Sequence, residues 1–204
     1  NVALRFLTQG FSCFVLNYSC NVKYPLPQLE LAVLVQHIRE NYKKYGLRDD
    51  NLSLIGFSAG GHLAASYSLY YKEIAAEYGL NVSLLKPLSL CLGYPVVDFF
   101  NKDYVGTQNV IAENDEELTK KLDIISNVNS DFPPTFIWST RNDSLIKASG
   151  LERLSSRLEE LNVKHKLIIY ENGEHGTSLA NNGIHYYLND WLWNYSISLR
   201  KLRE

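Results

Sequence analysis

The stretch Asn51-Leu52-Ser53-Leu54-Ile55-Gly56-Phe57-Ser58-Ala59-Gly60-Gly61 runs from an apolar strand-like pentad straight into a serine bracketed by glycines. The residues after Gly61 are compatible with a helix. The second half fits Gly-x-Ser-x-Gly, a nucleophile elbow in which a sharp strand-to-helix turn forces the serine into a strained backbone conformation. The glycines are expected to make room, since a side chain at 56 or 60 would collide with neighbouring backbone across so tight a turn. Ser58 is thereby pushed out at the carboxyl edge of a sheet. A helix beginning near Ala59 or Gly60 aims free N–H groups and its positive dipole end at the same edge, so the Ala59 N–H is the first expected oxyanion donor. A chance pentapeptide is the competing reading, and it gives no reason for a strand before and a helix after.

Working outward, apolar runs alternate with longer helix-like patterns, which points to parallel strands joined by crossover helices and to the α/β class. On the amino side a strand is expected at Ser12 to Asn17, then a Tyr/Pro loop from Tyr18 to Pro27. A helix from about Gln28 to Tyr45 comes next, with Leu31, Leu34, Val35 and Ile38 on one face and Gly46 as its stop. On the carboxyl side, apolar runs at Leu88 to Leu92, Thr135 to Ser139 and Lys164 to Tyr170 read as strands. Helices are expected at Lys147 to Leu161 and Ile184 to Leu202. Between Phe99 and Asp131 the pattern weakens into an irregular insertion with one helix at Asp115 to Leu122, a candidate lid or pocket wall. There is no internal repeat and no linker, so residues 1–204 read as one domain.

A serine alone is a poor nucleophile and needs a base, which in turn needs a carboxylate to hold its tautomer. In doubly wound sheets with such an elbow the chain order is serine, acid, histidine. Of the five histidines, His37 precedes Ser58, His62 lies on the helix after it, His165 sits in a strand and His185 falls on the last helix. His175, in Gly173-Glu174-His175-Gly176, lies in a loop just after the last strand and is the expected base. Asp143, in the loop after Thr135 to Ser139, is the expected acid, although an aspartate there could equally cap the following helix. Asp98 is the reserve.

Composition excludes several classes. A formal net charge of −2 leaves no basic excess for nucleic acid or an anionic membrane surface. Three cysteines, irregularly spaced, suggest neither a disulfide framework nor a metal site, and a cytoplasmic setting is expected. No apolar run reaches the roughly 18 residues of a membrane span.

Nearly the whole chain resembles the α/β-hydrolase superfamily, in particular its small carbohydrate-acetyl or xylan esterase and lipase-like branch. The matching stretches are Phe14 to Tyr18, Gly56 to Leu63, Tyr94-Pro95-Val96, Pro134 to Trp138 leading to Asp143, and Gly173 to Leu179. The resemblance places the family's nucleophile on Ser58, its acid on Asp143 and its base on His175. It implies no metal or organic cofactor and a small ester as substrate, a short acyl group, an acetylated sugar included. Members of that branch carry an upstream His-Gly-Gly segment that completes the oxyanion hole. This sequence has none, starts with Asn and contains no Met. It is therefore expected to lack the first strands and the second oxyanion donor. A peptidase on the same scaffold and a catalytically silent binding protein are the rival functions.

Overall fold

The computed structural model describes residues 2–47, 51–100, 112, 115–178 and 189–202. Four strands, β1 (Leu54–Phe57), β2 (Leu90–Gly93), β3 (Thr135–Thr140) and β4 (His165–Tyr170), form one parallel sheet in that order. Gly56 stands opposite Leu92, Leu92 opposite Ile137, and Ile137 opposite Leu167. Parallel neighbours need a crossover. Here α3 (Ala59–Tyr78) connects β1 to β2. The short α4 (Glu116–Leu122) and α5 (Ile124–Asn127) lie between β2 and β3, and α6 (Ala148–Glu160) joins β3 to β4. Helices α1 (Val2–Leu7) and α2 (Leu26–Glu40) precede the sheet and α7 (Asp190–Lys201) comes after it.

Alternate strand residues divide the core into two layers. Leu54, Leu90, Leu92 and Ile137 join α2, α3 and α6 on one face. Cys91, Phe136 and Trp138 meet Phe6 of α1 and Trp191, Tyr195 and Leu199 of α7 on the other. Both faces being covered explains why the strand segments read as unbroken apolar runs. On α6, Leu151, Leu154 and Leu158 recur at three-to-four spacing and are fully buried. The α/β expectation, a parallel sheet flanked by helices, is what the described residues show.

One expected strand is absent from the sheet. Ser12 to Asn17 belongs to no strand, and among the described residues β1 pairs only with β2. Strands must lie about 4.8 Å apart to exchange hydrogen bonds. A cleft of about 930 Å³, lined by Phe11 to Leu16, Leu31, Val35 and Leu52 to Phe57, separates this segment from β1. The helix expected to reach Tyr45 ends at Glu40 and continues as turns to Gly46, whose φ of 67° closes them. The first two strands also start two to three residues later than expected, since backbone pairing of Leu52 and Leu88 precedes the ladder proper.

The insertion is described only in part: 101–111 and 113–114 lie outside the described residues, so the lid expectation rests on positions that carry no description. Asp115 caps α4 and Asp123 caps α5. Leu122 and Ile124 are fully buried against the main core. No described helix is long and apolar enough to cross a membrane.

Candidate active site

Ser58 stands at the junction of β1 and α3 with φ 52° and ψ −119°, a conformation that costs a non-glycine residue on the order of 1–3 kcal/mol. Three backbone bonds hold it there. Its N–H donates to Gly93 O at 3.0 Å, and its carbonyl accepts from His62 N–H at 3.1 Å and Val96 N–H at 3.3 Å. The His62 bond is the first turn of α3, so the Ala59 N–H precedes the helical ladder.

Of the two glycines expected to be crowded, only one is. A Cβ on Gly56 would fall on the carbonyl of Gly60, as expected. On Gly60, however, it would meet only the Tyr18 hydroxyl at 3.6 Å, an ordinary contact. The second crowded glycine is Gly61, where a Cβ would lie 2.7 Å from Pro95 Cβ. The crowding comes from the Tyr94-Pro95 turn after β2, which the local pentapeptide does not contain.

The structure brings Ser58, His175 and Asp143 into one hydrogen-bonded chain. Ser58 Oγ is 2.8 Å from His175 Nε2, and His175 Nδ1 is 2.8 Å from Asp143 Oδ2. With Nδ1–H donating to the carboxylate, Nε2 is left to accept the serine proton. Asp143 does not cap the following helix, whose N-cap is Lys147; its Oδ1 instead accepts the N–H groups of Leu145 and Ile146 in its own loop at 2.9 Å each. The carboxylate is nearly fully buried and holds hydrogen bonds on both oxygens.

The remaining candidates go elsewhere. Asp98 pairs with Arg153 of α6 and accepts the Phe100 N–H. His37 bonds the Tyr45 hydroxyl at 2.7 Å, and His165 lies between Ser155 Oγ and Val163 O. His62 is buried, stacks on Phe99 with ring centroids 4.9 Å apart, and donates to Leu122 O at 2.9 Å. Burial lowers its pKa to about 4, with the Leu122 bond opposing, so it is a neutral core residue at pH 7. His185 lies outside the described residues.

Several supporting residues escaped the sequence. Thr140 Oγ1 donates to Gly173 O at 2.6 Å, and Asn142 Oδ1 accepts the Gly173 N–H at 2.9 Å, so the turn carrying Asp143 also grips the start of the His175 loop. Tyr94 lies edge-on to the His175 ring at 4.9 Å. Burial pushes its hydroxyl up to about 12, against a hydrogen bond from the Ser178 side chain that lowers it. Polar residues gathered at the carboxyl end of β3 were the one available signal for Thr140 and Asn142. Tyr94 stood out only within the Tyr94-Pro95-Val96 stretch of the resemblance, which did not point to His175, 81 positions away.

A parallel sheet covered by helices on both faces, with a strained serine at the end of one strand, is the architecture of the α/β-hydrolase superfamily. Within it, the chain belongs to the BD-FAE family, whose model matches residues 1–158. That match includes Ser58 and Asp143 and stops short of His175. The chain is 30% identical over 192 residues to endo-1,4-beta-xylanase B of Butyrivibrio fibrisolvens, covering 88% of this chain and 29% of the xylanase. It thus spans under a third of that relative's length. Among solved structures it resembles an acetyl ester-xyloside bifunctional hydrolase from Caldicellulosiruptor lactoaceticus, with a TM-score of 0.81 and 29% identity over 97% of this chain and 75% of the other. A carboxylesterase from Lactobacillus plantarum superposes with a TM-score of 0.81 at 26% identity, over 99% of this chain and 77% of its own.

Proposed function

We propose that this protein is a serine carboxylesterase acting on short acyl esters, acetylated carbohydrates among them. The observation that carries the reading is the 2.8 Å and 2.8 Å chain from Ser58 through His175 to Asp143, on a serine held in a strained elbow. Ser58 Oγ attacks the ester carbonyl while His175 Nε2 takes its proton. The oxyanion of the tetrahedral intermediate accepts the Ala59 N–H. The intermediate collapses, the C–O bond breaks, and the departing alkoxide takes the proton from His175. Water then adds to the acyl-Ser58 with His175 as base, and the carboxylic acid and free serine are released. Asp143 keeps the Nδ1 proton in place and stabilises the imidazolium. Names given to relatives, xylanase in one case and acetyl ester-xyloside hydrolase in the other, support an acylated sugar as substrate. Cys13, Cys20 and Cys91 are all free thiols, which supports the cytoplasmic setting as part of the same proposal.

Hydrolysis of p-nitrophenyl acetate by the full-length protein and by Ser58→Ala, both folded by circular dichroism, tests the mechanism. Saturable turnover that disappears in the variant, with fluorophosphonate labelling of wild-type Ser58, is the expected result. Equal turnover by the variant would remove Ser58 from the reaction. A panel of acetyl, butyryl and octanoyl esters, acetylated xylo-oligosaccharides and peptide amides then tests the substrate. Amide cleavage comparable to ester cleavage would favour a peptidase.

A further inference from the structure

Resting on the serine-hydrolase reading of the site, we propose that His62 is a positioning residue for Ser58, its imidazole tying the first turn of α3 to Phe99 and Leu122 and so holding the strained nucleophile in place. Ser58 sits at φ 52°, a conformation that persists only where the surroundings over-determine it. The restraint acts at its carbonyl. That oxygen accepts the N–H of His62, in the first turn of α3, at 3.1 Å and the N–H of Val96, in the chain leaving β2, at 3.3 Å.

The same two pieces of chain meet again at the buried His62 ring. The imidazole stacks on Phe99, three residues past Val96, with planes 14° apart, and its Nε2–H donates to Leu122 O at 2.9 Å. Around it, Val97 O accepts the N–H groups of Ile124 and Ile125 at 3.1 and 3.3 Å, and buried Asp123 accepts the Phe99 N–H at 2.7 Å. Val96 therefore leaves β2 between α3 and the start of α5, and the His62 side chain bridges that junction from the helix side. Reacting groups displaced by even a fraction of an ångström lose rate steeply. Eight residues further along α3, the Tyr70 hydroxyl donates to the adjoining Lys121 O. That bond docks α4 on α3 in the same way, but more than two helical turns away from the residues that touch Ser58, so the pair separates positioning from packing.

The test compares His62→Leu, His62→Gln, Phe99→Leu and Tyr70→Phe, with Ser58→Ala as the reference, well below the melting temperature of each. Turnover of p-nitrophenyl acetate, the rate of fluorophosphonate labelling and thermal denaturation are the readouts. His62→Leu and Tyr70→Phe each remove one donor from a carbonyl at the end of α4, so both should melt earlier than wild type. His62→Leu should also lower kcat and the labelling rate about tenfold with KM changed by less than about twofold, while Tyr70→Phe keeps wild-type kcat. His62→Gln, which can still donate to Leu122 O, should recover most of kcat. Phe99→Leu, which spares that bond and removes the stack, should lose part of it. Wild-type kcat in a destabilised His62→Leu, an equal kcat loss in Tyr70→Phe, or a loss confined to KM would overturn the proposal. Should His62→Leu fail to fold, wild-type kcat in Phe99→Leu overturns it instead. Turnover by Ser58→Ala would bring down the serine mechanism itself, so the two failures are distinguishable.

Discussion

His175 Nδ1 lies 2.8 Å from Asp143 Oδ2, joining a side chain that is 15% exposed to one that is 1% exposed across 32 residues of sequence. The second carboxylate oxygen is occupied by the amides of Leu145 and Ile146. One aspartate therefore shapes its own turn and orients the imidazole, and the two roles can be separated chemically.

Asp143→Asn should separate them. The amide oxygen can still accept from Leu145 and Ile146, while the amide NH2 turned toward His175 donates to Nδ1 and drives the proton to Nε2, where it blocks transfer from Ser58. We expect kcat to fall roughly 10³- to 10⁴-fold with a melting temperature within a few degrees of wild type. Stopped assays and thermal denaturation on the same preparations check both halves, and undiminished turnover would remove Asp143 from the mechanism.

The three glycines of the elbow should respond differently to alanine. Gly60→Ala meets only the Tyr18 hydroxyl and adds a better helix former, so stability should hold or rise by up to about 1 kcal/mol. Gly56→Ala and Gly61→Ala drive a methyl into the Gly60 carbonyl and into Pro95, and should lose soluble, folded protein. Urea denaturation of the three variants ranks them, and a Gly60→Ala protein as unstable as the other two would contradict the packing described.

Stability should weaken in mild acid through His62. Its pKa is about 4 when folded against an ordinary value of 6.5, so the unfolded chain binds the proton first as pH falls. The sign is a loss of stability between pH 6.5 and about 4, of roughly 3 kcal/mol when complete. His62→Gln, which keeps a donor for Leu122 O without titrating, should flatten that part of the profile. Urea midpoints of both proteins at about pH 7 and about pH 4.5 provide the comparison, and parallel slopes would exclude His62 as the cause.

The buried face of α6 should be unforgiving. Leu154 is fully buried between the sheet and the helix, and Leu154→Ala is expected to cost about 2–5 kcal/mol without altering the spacing of Ser58 and His175. A chemical denaturation curve with unchanged slope and a lower midpoint is the expected signature.

Local chemistry made much of this legible. The apolar runs around Leu54, Leu90, Ile137 and Leu167 became strands because parallel strands covered on both faces need continuous hydrophobic side chains. Leu151, Leu154 and Leu158 announced a helix for an equally local reason, their three-to-four spacing. Ser12 to Asn17 has the same apolar character as the true strands and is not one, since pairing depends on a neighbour that its own residues do not specify.

The order of Ser58, Asp143 and His175 and their places after β1, β3 and β4 were set by sequence alone, because strand ends, loops and a strained elbow are written in residues adjacent along the chain. Which acid reaches the histidine, which glycines must stay glycine, and what grips the His175 loop were decided by tertiary structure. Asp98 was lost to Arg153, Gly61 was crowded by Pro95, and the Ser178 carbonyl was held by Trp191. Each of these outcomes depends on groups brought together only by packing, and a hydrogen bond or a van der Waals clash depends on distance in space and is indifferent to distance in sequence.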